Sequence, residues 1–466
     1  MAAHVLAFPW PLQGHINPML HLASALLDAG LRVTFLHMEH NLRRFTRVPP
    51  HHPRLRLVSI PDGLPDHHPR SVGGLMELVE SMGTAGSAAY RALLLRMVDS
   101  DDDDAVTCVI ADGVMPFAVS VAEELGVPAL AFRTESACGF LAYLSVPRLL
   151  ELGETPVPSD EQCHRHPDDP VPVLLTIADT AARCGESRAL ILNTAASMEG
   201  PALSQIAPHV RDVFAVGPLH ARPAARHAAE HVSSDDMSLS AWLDGHEDRS
   251  VVYVNLGSLT IVSCEQLAEF LHGLVAAGYA FLGVFRQDML HQMAAAAAAS
   301  ASKSSVALRE AVEAVAAAGS ERALVVEWAL QRDAHHVLRH RAVGCFLTHG
   351  GWNSTLEAAV EGVPEVCWPF FADQQTNSRF VGAVWRTGLD MKDVCHCQRA
   401  VVERMVREAM ESPQIRASAQ SMARQLRLDV AQEGSSSSEL ERLVGLITEL
   451  GLSAVKISSP APALTC

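Results

Sequence analysis

Short apolar runs recur along the first half of the chain, separated by stretches that carry apolar residues at helical spacing. Runs of this kind predict strands that are buried on both faces, as in a parallel sheet covered by helices. The predicted strands are His4 to Phe8, Leu31 to His37, Val106 to Ala111, Pro128 to Phe132 and Ala189 to Asn193. We therefore expect a doubly wound parallel α/β domain.

The first strand is followed by a Pro- and Gly-containing loop, Pro9 to Gly14, and then by a helical pattern from Pro18 to Ala29. Pro18 stands where the first turn of a helix tolerates proline. Gly30 follows where a helix favours glycine at its carboxyl end. His15 is thus expected in a loop at the carboxyl end of a strand, the edge where parallel sheets carry their active sites.

The second half repeats the alternation of strands and helices, so a second α/β domain is expected. Its predicted strands are Ser250 to Asn255, Ala280 to Phe285, Ala323 to Glu327 and Val343 to Thr348. Its predicted helices are Cys264 to Ala277, Asn353 to Glu361, Val401 to Met410 and Ser438 to Leu450. The stretch His220 to Asp236 has little apolar periodicity and is interpreted as the linker between the domains.

Composition narrows the range of partners. The chain has 466 residues, of which 48% are hydrophobic and 19% charged, enough to fill two cores. Its formal net charge of -17 argues against nucleic acid and anionic membranes. No apolar run approaches the ~20 residues of a membrane span. The ten cysteines lack paired metal-ligand spacing, and with no signal peptide we expect reduced thiols and a cytoplasmic protein.

The segment Trp328 to Gln374 is the most informative part of the chain. Within it a strand is followed by the turn His349-Gly350-Gly351 and by a helix, and Asn353 or Ser354 is expected to cap that helix. Such a turn points backbone N–H groups and the positive end of a helix dipole at an anion. The pattern indicates a phosphate site.

This segment resembles the signature box of the plant secondary-product UDP-glycosyltransferases. The resemblance implies that Trp328 stacks on uracil, that the pyrophosphate is bound at His349, and that the sugar hydroxyls are held at the end of the box. The donor-binding residues implied in this way are Ser258, Trp328, Gln331, His349, Trp352, Asn353, Ser354, Glu357, Asp373 and Gln374. Among them Gln331 and Glu357 are implied to bind the ribose, and Ser258 is implied to contact the diphosphate.

The resemblance also implies the residues that act on the acceptor. In the family a histidine in a Gly-His-x-Asn-Pro-type loop is the general base, and an aspartate about a hundred residues later orients it. His15 and Asp112 match these two positions. The chemistry fits, because an imidazole with an ordinary pKa of about 6.5 can accept a proton from a hydroxyl at neutral pH.

Taken together, the resemblance implies an inverting UDP-sugar-dependent glycosyltransferase of GT-B architecture, with two facing Rossmann-like domains. We expect residues 1–225 to bind the acceptor, 226–437 to bind the UDP-sugar, and 438–466 to return to the first domain. UDP-glucose is the expected co-substrate, by analogy at Trp352, Asp373 and Gln374, and the acceptor a small lipophilic metabolite with a hydroxyl group. We expect a monomer with no metal or other cofactor, since the helix end and His349 can take the leaving-group charge.

Several positions depart from the family pattern. The signature box is three residues longer than usual near Ala334 to His336, and we expect a tolerated surface bulge there. Gly283 replaces a common Trp, Leu330 replaces a common Pro, and Glu365 stands in a segment expected to be buried, where an unpaired carboxylate is costly. These departures leave a non-catalytic nucleotide-sugar-binding protein as the main alternative. A dinucleotide oxidoreductase is a weaker one, because no G-x-G-x-x-G motif follows the first strand.

Overall fold

A computed structural model describes residues 3–44, 52–68, 70, 74–98, 105–154, 170–222, 234–298, 303–327, 334–391 and 397–458. Contacts divide the chain into two compact units. One unit comprises Met1–Pro156, Val171–Ala228 and Leu428–Cys466, and the other contains Ala229–Arg427. We call them the N-terminal unit and the C-terminal unit.

The N-terminal unit is built around a parallel sheet. Its described strands are β1 His4–Phe8, β2 Arg32–Met38, β3 Leu55–Ile60, β4 Cys108–Asp112, β5 Ala129–Arg133, β6 Leu190–Leu192 and β7 Val213–Ala215. They lie in the order β3-β2-β1-β4-β5-β6-β7, and every pairing is parallel. The strand order reverses between β1 and β4, and ligands of such sheets bind beyond the carboxyl ends of strands at a reversal of this kind.

Helices cover both faces of this sheet. They are α1 Gln13–Asp28, α2 Glu39–Arg44, α3 Leu75–Ser81, α4 Ser87–Val98, α5 Pro116–Glu124, α6 Ala137–Glu151, α7 Pro170–Arg183 and α8 Ala196–Ile206. Val5 and Ala7 of β1 pack on one face, in a cluster that includes Leu22 of α1. Leu6 and Phe8 pack on the other face, against α4 and α5. Both faces of β1 are therefore buried, which explains its uninterrupted apolar sequence.

The C-terminal unit repeats this plan. Its described strands are β8 Val251–Asn255, β9 Ala280–Phe285, β10 Ala323–Glu327, β11 Val343–Thr348, β12 Glu365–Cys367 and β13 Gly388–Asp390. They form a parallel sheet in the order β10-β9-β8-β11-β12-β13. Its helices are α9 Ser234–Asp244, α10 Cys264–Ala277, α11 Gln287–Ala298, α12 Lys303–Ala318, α13 Ala334–Leu338, α14 Trp352–Glu361, α15 Gln374–Arg379 and α16 Arg399–Glu411. The strand order reverses between β8 and β11.

Two last helices, α17 Pro413–Val430 and α18 Ser435–Ser458, end the described chain. Leu443 and Ile447 of α18 are fully buried in the same cluster as Val5 and Ala7 of β1. The end of the chain thus completes the core of the N-terminal unit. This contact joins residues more than four hundred positions apart and is absent from any local pattern.

Many predicted elements are confirmed by the structure, some of them to the residue. Helix α10 has the bounds Cys264–Ala277 because both of its ends are marked in the sequence. Ser263 and Gln266 form a reciprocal capping box at its start, and Gly278 ends it in the left-handed region at φ 83°. The prediction for Gly30 also holds, since it follows α1 with φ 95°.

The predicted start of α1 is wrong. The helix begins at Gln13, so Pro18 lies in its interior and His15 lies in its first turn instead of a loop. The N–H groups of His15 and Ile16 both donate to the carbonyl of Leu12, at 2.9 Å, which starts the helix one turn early. Tertiary packing outweighs the local cost of proline here, because Ile16, Pro18 and Met19 are all buried.

The segment from Ala334 to His336 is also not the expected surface bulge. These residues begin α13, and Val337 and Leu338 that follow are 5% and 2% exposed in the core of the C-terminal unit. A deletion at this place would pull two buried side chains out of register. The tolerated deletion that a bulge implies is therefore not expected.

Gly283, in the middle of β9, has a packing reason. A Cβ atom at this position would lie 2.7 Å from Cε2 of Phe285, closer than any real contact allows. The Phe285 ring is 1% exposed and occupies this space. The aromatic side chain that is usual at position 283 is thus replaced by one from two residues along the same strand.

Glu365 begins β12 and is 1% exposed, as expected for a buried strand. Among the described residues, no Lys or Arg contributes to the electrostatic environment of Glu365. Burial raises the pKa of Glu365 well above its ordinary value, although the hydroxyl of Thr355 and the thiol of Cys367 act in the opposite direction. The folded protein therefore holds the proton of Glu365 more tightly than the unfolded chain does.

We predict that Glu365→Met stabilises the protein. Removing a buried carboxyl group that lacks a cation should yield about 1–3 kcal/mol, or several degrees in melting temperature. Because the folded-state pKa is raised, the folded protein binds more protons than the unfolded chain above about pH 4.5. The gain should therefore be smallest below that pH and grow as the pH rises.

Thermal unfolding between pH 4 and 8 tests this prediction. Glu313→Gln is the matched control, because the Glu313 side chain is 71% exposed and loses its charge without changing a buried contact. A melting temperature of Glu365→Met equal to or below that of the wild type at pH 7 would contradict the prediction.

Candidate active site

His15 and Asp112 meet at the strand-order reversal of the N-terminal sheet. His15 lies in the first turn of α1, and Asp112 is the last residue of β4. The distance between Nδ1 of His15 and Oδ2 of Asp112 is 2.8 Å. The Asp112 side chain is fully buried, whereas 23% of the His15 side chain is exposed. One edge of the imidazole is therefore held inside the protein while the ring remains accessible.

Asp112 is held as a carboxylate. Burial alone would raise its pKa, but the charge of His15 and the hydrogen bonds from His15 and from the N–H groups of Val114 and Trp10 outweigh burial and lower it. Oδ2 accepts from the Trp10 N–H at 3.2 Å, and Oδ1 accepts from the Val114 N–H at 3.2 Å. Because a carboxylate can only accept hydrogen bonds, Nδ1 of His15 must carry the proton. Nε2 is then left with the lone pair that a general base needs.

His15 is a stronger base than an ordinary histidine. Burial lowers its pKa, but the charge of Asp112 and the hydrogen bond to it raise the pKa by more, so the net shift is upward from 6.5. Glu135 adds to the upward shift, and Arg133 opposes it.

A third side chain at this place was not predicted. The hydroxyl oxygen of Thr134 lies 3.1 Å from Nδ1 of His15, the same nitrogen that donates to Asp112. Thr134 directly follows β5, the neighbour of β4. A polar residue just after a central strand is the sequence signal that could have found Thr134.

The glycine turn of the C-terminal unit surrounds His349. A Cβ atom on Gly257 would lie 2.6 Å from the His349 ring, and one on Gly351 would lie 2.4 Å from it. Gly257 and Gly350 also have positive φ values of 75° and 74°. The imidazole is thus enclosed by backbone from the carboxyl ends of β8 and β11, at the strand-order reversal. Only glycine fits at these positions.

His349 is neutral at physiological pH. Burial lowers its pKa to about 4, although a hydrogen bond with the backbone of Asn255 acts in the opposite direction. A neutral imidazole brings a single N–H and no charge. An anion at this turn could therefore be attracted only by hydrogen bonding and by the dipole of the following helix.

Helix α14 starts at Trp352, and its N-cap is Gly351. The prediction that Asn353 or Ser354 caps the helix is wrong, because both lie inside the first turn and the N-cap makes no side-chain hydrogen bond. Asn353, Ser354 and Glu357 are each partly exposed. Trp352 is 3% exposed beside Trp385, with 6.2 Å between ring centroids. Its buried ring anchors the start of the helix.

Of the two residues expected to contact sugar hydroxyls, Asp373 is linked to the glycine turn through Asn377, and Gln374 is bonded to the backbone that precedes it. Nδ2 of Asn377 donates to Oδ2 of Asp373 at 2.8 Å and to the carbonyl of Gly350 at 3.0 Å. Oε1 of Gln374 accepts from the N–H groups of Phe370 and Phe371, at 2.9 Å and 3.2 Å. Only the amide nitrogen of Gln374 remains for other partners. Asn377, which the sequence did not single out, thus bonds both to Asp373 and to the glycine turn.

Ser258 lies in the loop after β8 and is partly exposed. Its carbonyl accepts a hydrogen bond from Nη1 of Arg286 at 2.7 Å, and Arg286 also pairs with Asp288. Arg286 directly follows β9, so three adjacent strands contribute to this region of the sheet edge. Arg286 is a second contributor that the sequence did not single out.

Part of the predicted site lies outside the described residues. Trp328 and Gln331, expected to bind the uracil and the ribose, belong to this part, as does Leu330. Among the described residues, no group of three or more His, Cys, Asp or Glu side chains is arranged to hold a metal ion. The helices in the same residues include none that is long and apolar enough to cross a membrane.

The fold and the site define a class of protein: a GT-B-type enzyme of two parallel-sheet units, with a His-Asp dyad in one and a glycine-lined turn around His349 in the other. Comparisons with known proteins agree. The family profile described as "UDP-glucoronosyl and UDP-glucosyl transferase" matches residues 206–413. The chain is 40% identical to myricetin 3-O-rhamnoside 1,2-glucosyltransferase of Crocosmia x crocosmiiflora, over 98% of both chains.

Two further comparisons extend this result. The chain is 38% identical to 7-deoxyloganetic acid glucosyltransferase of Catharanthus roseus, over 97% of this chain and 98% of the other. The crystal structure of Os79 from O. sativa, in complex with U2F and trichothecene, aligns with a TM-score of 0.76 at 27% identity, covering 95% of this chain and all of that one. The chain belongs to the UDP-glycosyltransferase family, and it is an enzyme that uses a UDP-sugar donor and a small-molecule acceptor.

The dyad predicts the pH dependence of the reaction. Because the base must be unprotonated and its pKa is raised, kcat/KM should fall as the pH drops through a value above 6.5. Asp112→Asn removes the charge that raises this pKa. The acidic limb of the profile should then move to lower pH, while the maximum falls by about 10²–10⁴-fold because the tautomer is no longer held. A limb that stays in place in Asp112→Asn would contradict this assignment.

The glycine turn predicts a separate effect on the donor. His349→Ala removes an N–H from the proposed diphosphate site, so it should raise the KM for the UDP-sugar and also lower kcat, since leaving-group charge grows in the transition state. Steady-state kinetics with varied donor measure both constants. His291→Ala is the control, because His291 is exposed on α11 of the same unit. Equal donor constants in His349→Ala and the control would rule out the role of His349.

Proposed function

We propose that this chain is an inverting glucosyltransferase that transfers glucose from UDP-glucose to a hydroxyl group of a small lipophilic metabolite. The observation that carries the mechanism is the 2.8 Å hydrogen bond from Nδ1 of His15 to Asp112. It leaves Nε2 of His15 as the acceptor of a proton. The two relatives described above are both glucosyltransferases, which supports glucose as the sugar.

These residues support a reaction with a single displacement at the anomeric carbon of the sugar. Nε2 of His15 takes the proton of the acceptor hydroxyl, and the oxygen attacks the anomeric carbon of the sugar. The bond between that carbon and the β-phosphate oxygen breaks, and UDP leaves with the bonding electrons. Attack from the side opposite to the leaving group inverts the anomeric configuration. Asp112 stabilises the imidazolium that forms at His15.

Binding of UDP is assigned to the carboxyl edge of the C-terminal sheet. The formal net charge of -17 offers no general attraction for a diphosphate, so the site must work through local groups. The N-terminus of α14, the His349 N–H and the Ser258 loop are such groups. Asp373, linked to the glycine turn through Asn377, and Gln374, held by the N–H of Phe370, are the proposed contacts of the sugar hydroxyls.

No metal ion or other cofactor enters this proposal. The leaving UDP carries growing negative charge, and oriented N–H groups at a helix end stabilise such charge without any reorganisation. A chelator should therefore leave turnover unchanged. Loss of activity on dialysis against EDTA, with recovery on adding a divalent cation, would contradict this part of the proposal.

UDP release tests the function. The purified protein is given UDP-glucose, UDP-galactose or UDP-glucuronic acid with a panel of phenolic, flavonoid, terpenoid and hormone-like acceptors. Turnover with UDP-glucose and a β-linked product by NMR would support the proposal. UDP binding without turnover on any acceptor would instead favour a nucleotide-sugar-binding protein, and an α-linked product would exclude inversion.

His15→Ala then tests the base. Proton abstraction by a placed side chain contributes ~10²–10⁴-fold, so turnover should fall by that order while the Kd for UDP stays nearly unchanged. Calorimetry with UDP measures the second quantity. An equal loss of turnover and UDP affinity would contradict the assignment of His15.

A further inference from the structure

A buried ion pair lies beside the His15–Asp112 dyad. Nε of Arg133 donates to Oε1 of Glu135 at 2.6 Å, and the two side chains are 1% and 10% exposed. Arg133 is the last residue of β5, the neighbour of the strand that ends in Asp112. A buried pair costs more desolvation energy than a surface pair and contributes little net stability, so its presence here calls for another explanation.

The surrounding fold makes room for this arginine. A Cβ atom at Gly113, the residue after Asp112, would lie 2.2 Å from Cδ of Arg133. The guanidinium stands 5.4 Å from the ring centroid of Phe140 and donates from Nη1 to the hydroxyl of Thr180 at 3.1 Å. Its position is therefore determined by contacts on several sides.

The pair connects directly to the catalytic base. Thr134 lies between Arg133 and Glu135 in the chain, and its hydroxyl oxygen is 3.1 Å from Nδ1 of His15. With the side chains on both sides of it anchored to each other, the backbone of Thr134 has little freedom. The ion pair thus holds the residue that touches the imidazole.

The ion pair also places charged groups of both signs near the His15 imidazole. His15 is influenced by Asp112, at the end of β4, and by Arg133 and Glu135, at the end of β5, while Cys184 lies close to the arginine. Two carboxylates and one guanidinium leave one excess negative charge when His15 is neutral. Uptake of a proton by His15 neutralises this group.

We propose that the Arg133–Glu135 ion pair is a positioning element of the dyad, which holds Thr134 against His15 and places one charge of each sign within electrostatic reach of the imidazole. The inference rests on the proposed role of His15 as the base. The influence of each partner on the His15 pKa agrees with it, since Glu135 raises this pKa and Arg133 lowers it.

Two substitutions test the inference, because they should shift the acidic limb of the pH profile in opposite directions. Glu135→Gln keeps the shape and removes the negative charge, so the acidic limb of kcat/KM should move to lower pH. Arg133→Met removes the positive charge, so the limb should move to higher pH. Each shift should be about 0.3–1 pH unit, less than the 1–3 units that a charge in direct contact produces. A purely structural pair would change the melting temperature and leave both limbs in place.

Two controls make the result decisive. Glu151→Gln removes a carboxylate from the exposed pair with Arg148, whose side chains are 66% and 68% exposed, and should leave the limb unchanged. If Arg133→Met fails to fold, Arg133→Lys keeps the positive charge and should keep the limb near its wild-type position, and Glu135→Gln alone then decides. A Glu135→Gln limb that coincides with the wild-type limb overturns the proposal.

The same experiment separates this inference from the proposed function. If His15→Ala retains activity, His15 is not the base and the function as proposed fails. If His15→Ala loses turnover while the limbs of Glu135→Gln and Arg133→Met match the wild type, only the role of the ion pair fails.

Discussion

The dyad and the glycine turn lie at the carboxyl edges of the two parallel sheets, because the described strands are filled mainly by apolar side chains. Strands such as β1 and β8 are buried on both faces and consist almost entirely of apolar side chains. The polar groups of the site therefore begin where these strands end. Asp112 is the last residue of β4, Arg133 is the last residue of β5, and His349 follows β11. β4 and β11 border the two strand-order reversals, and β5 is the neighbour of β4.

Glycines decide what fits at these edges. Gly257 and Gly351 leave space for the His349 ring, and Gly113 leaves space for the Arg133 side chain. In each case the space is filled by an ionisable side chain. These glycines are therefore needed because they lack a side chain, more than because their backbone is flexible.

Burial acts on all of these titratable groups, but its outcome depends on the partner. His349 has only a hydrogen bond to backbone, and burial lowers its pKa to about 4. His15 has the Asp112 carboxylate, which reverses the direction of the shift. Glu365 has no cationic partner among the described residues, so burial raises its pKa. One physical effect thus lowers the pKa of one buried group and raises that of another, and an opposite charge can reverse its direction.

The sequence by itself determined most of the strands, though not β3, β7 or β13, and the capped helix Cys264–Ala277, because these depend on local composition. Through the resemblance it also indicated the pairing of His15 with Asp112 and the return of the last helix to the first domain. It could not show the early start of α1 or the ion pair beside the dyad. Those features depend on contacts between residues far apart in the chain. From the sequence alone, Arg133 at the end of a strand would be expected to be an exposed charge. Only the tertiary structure brings Gly113, Thr180 and Glu135 around it.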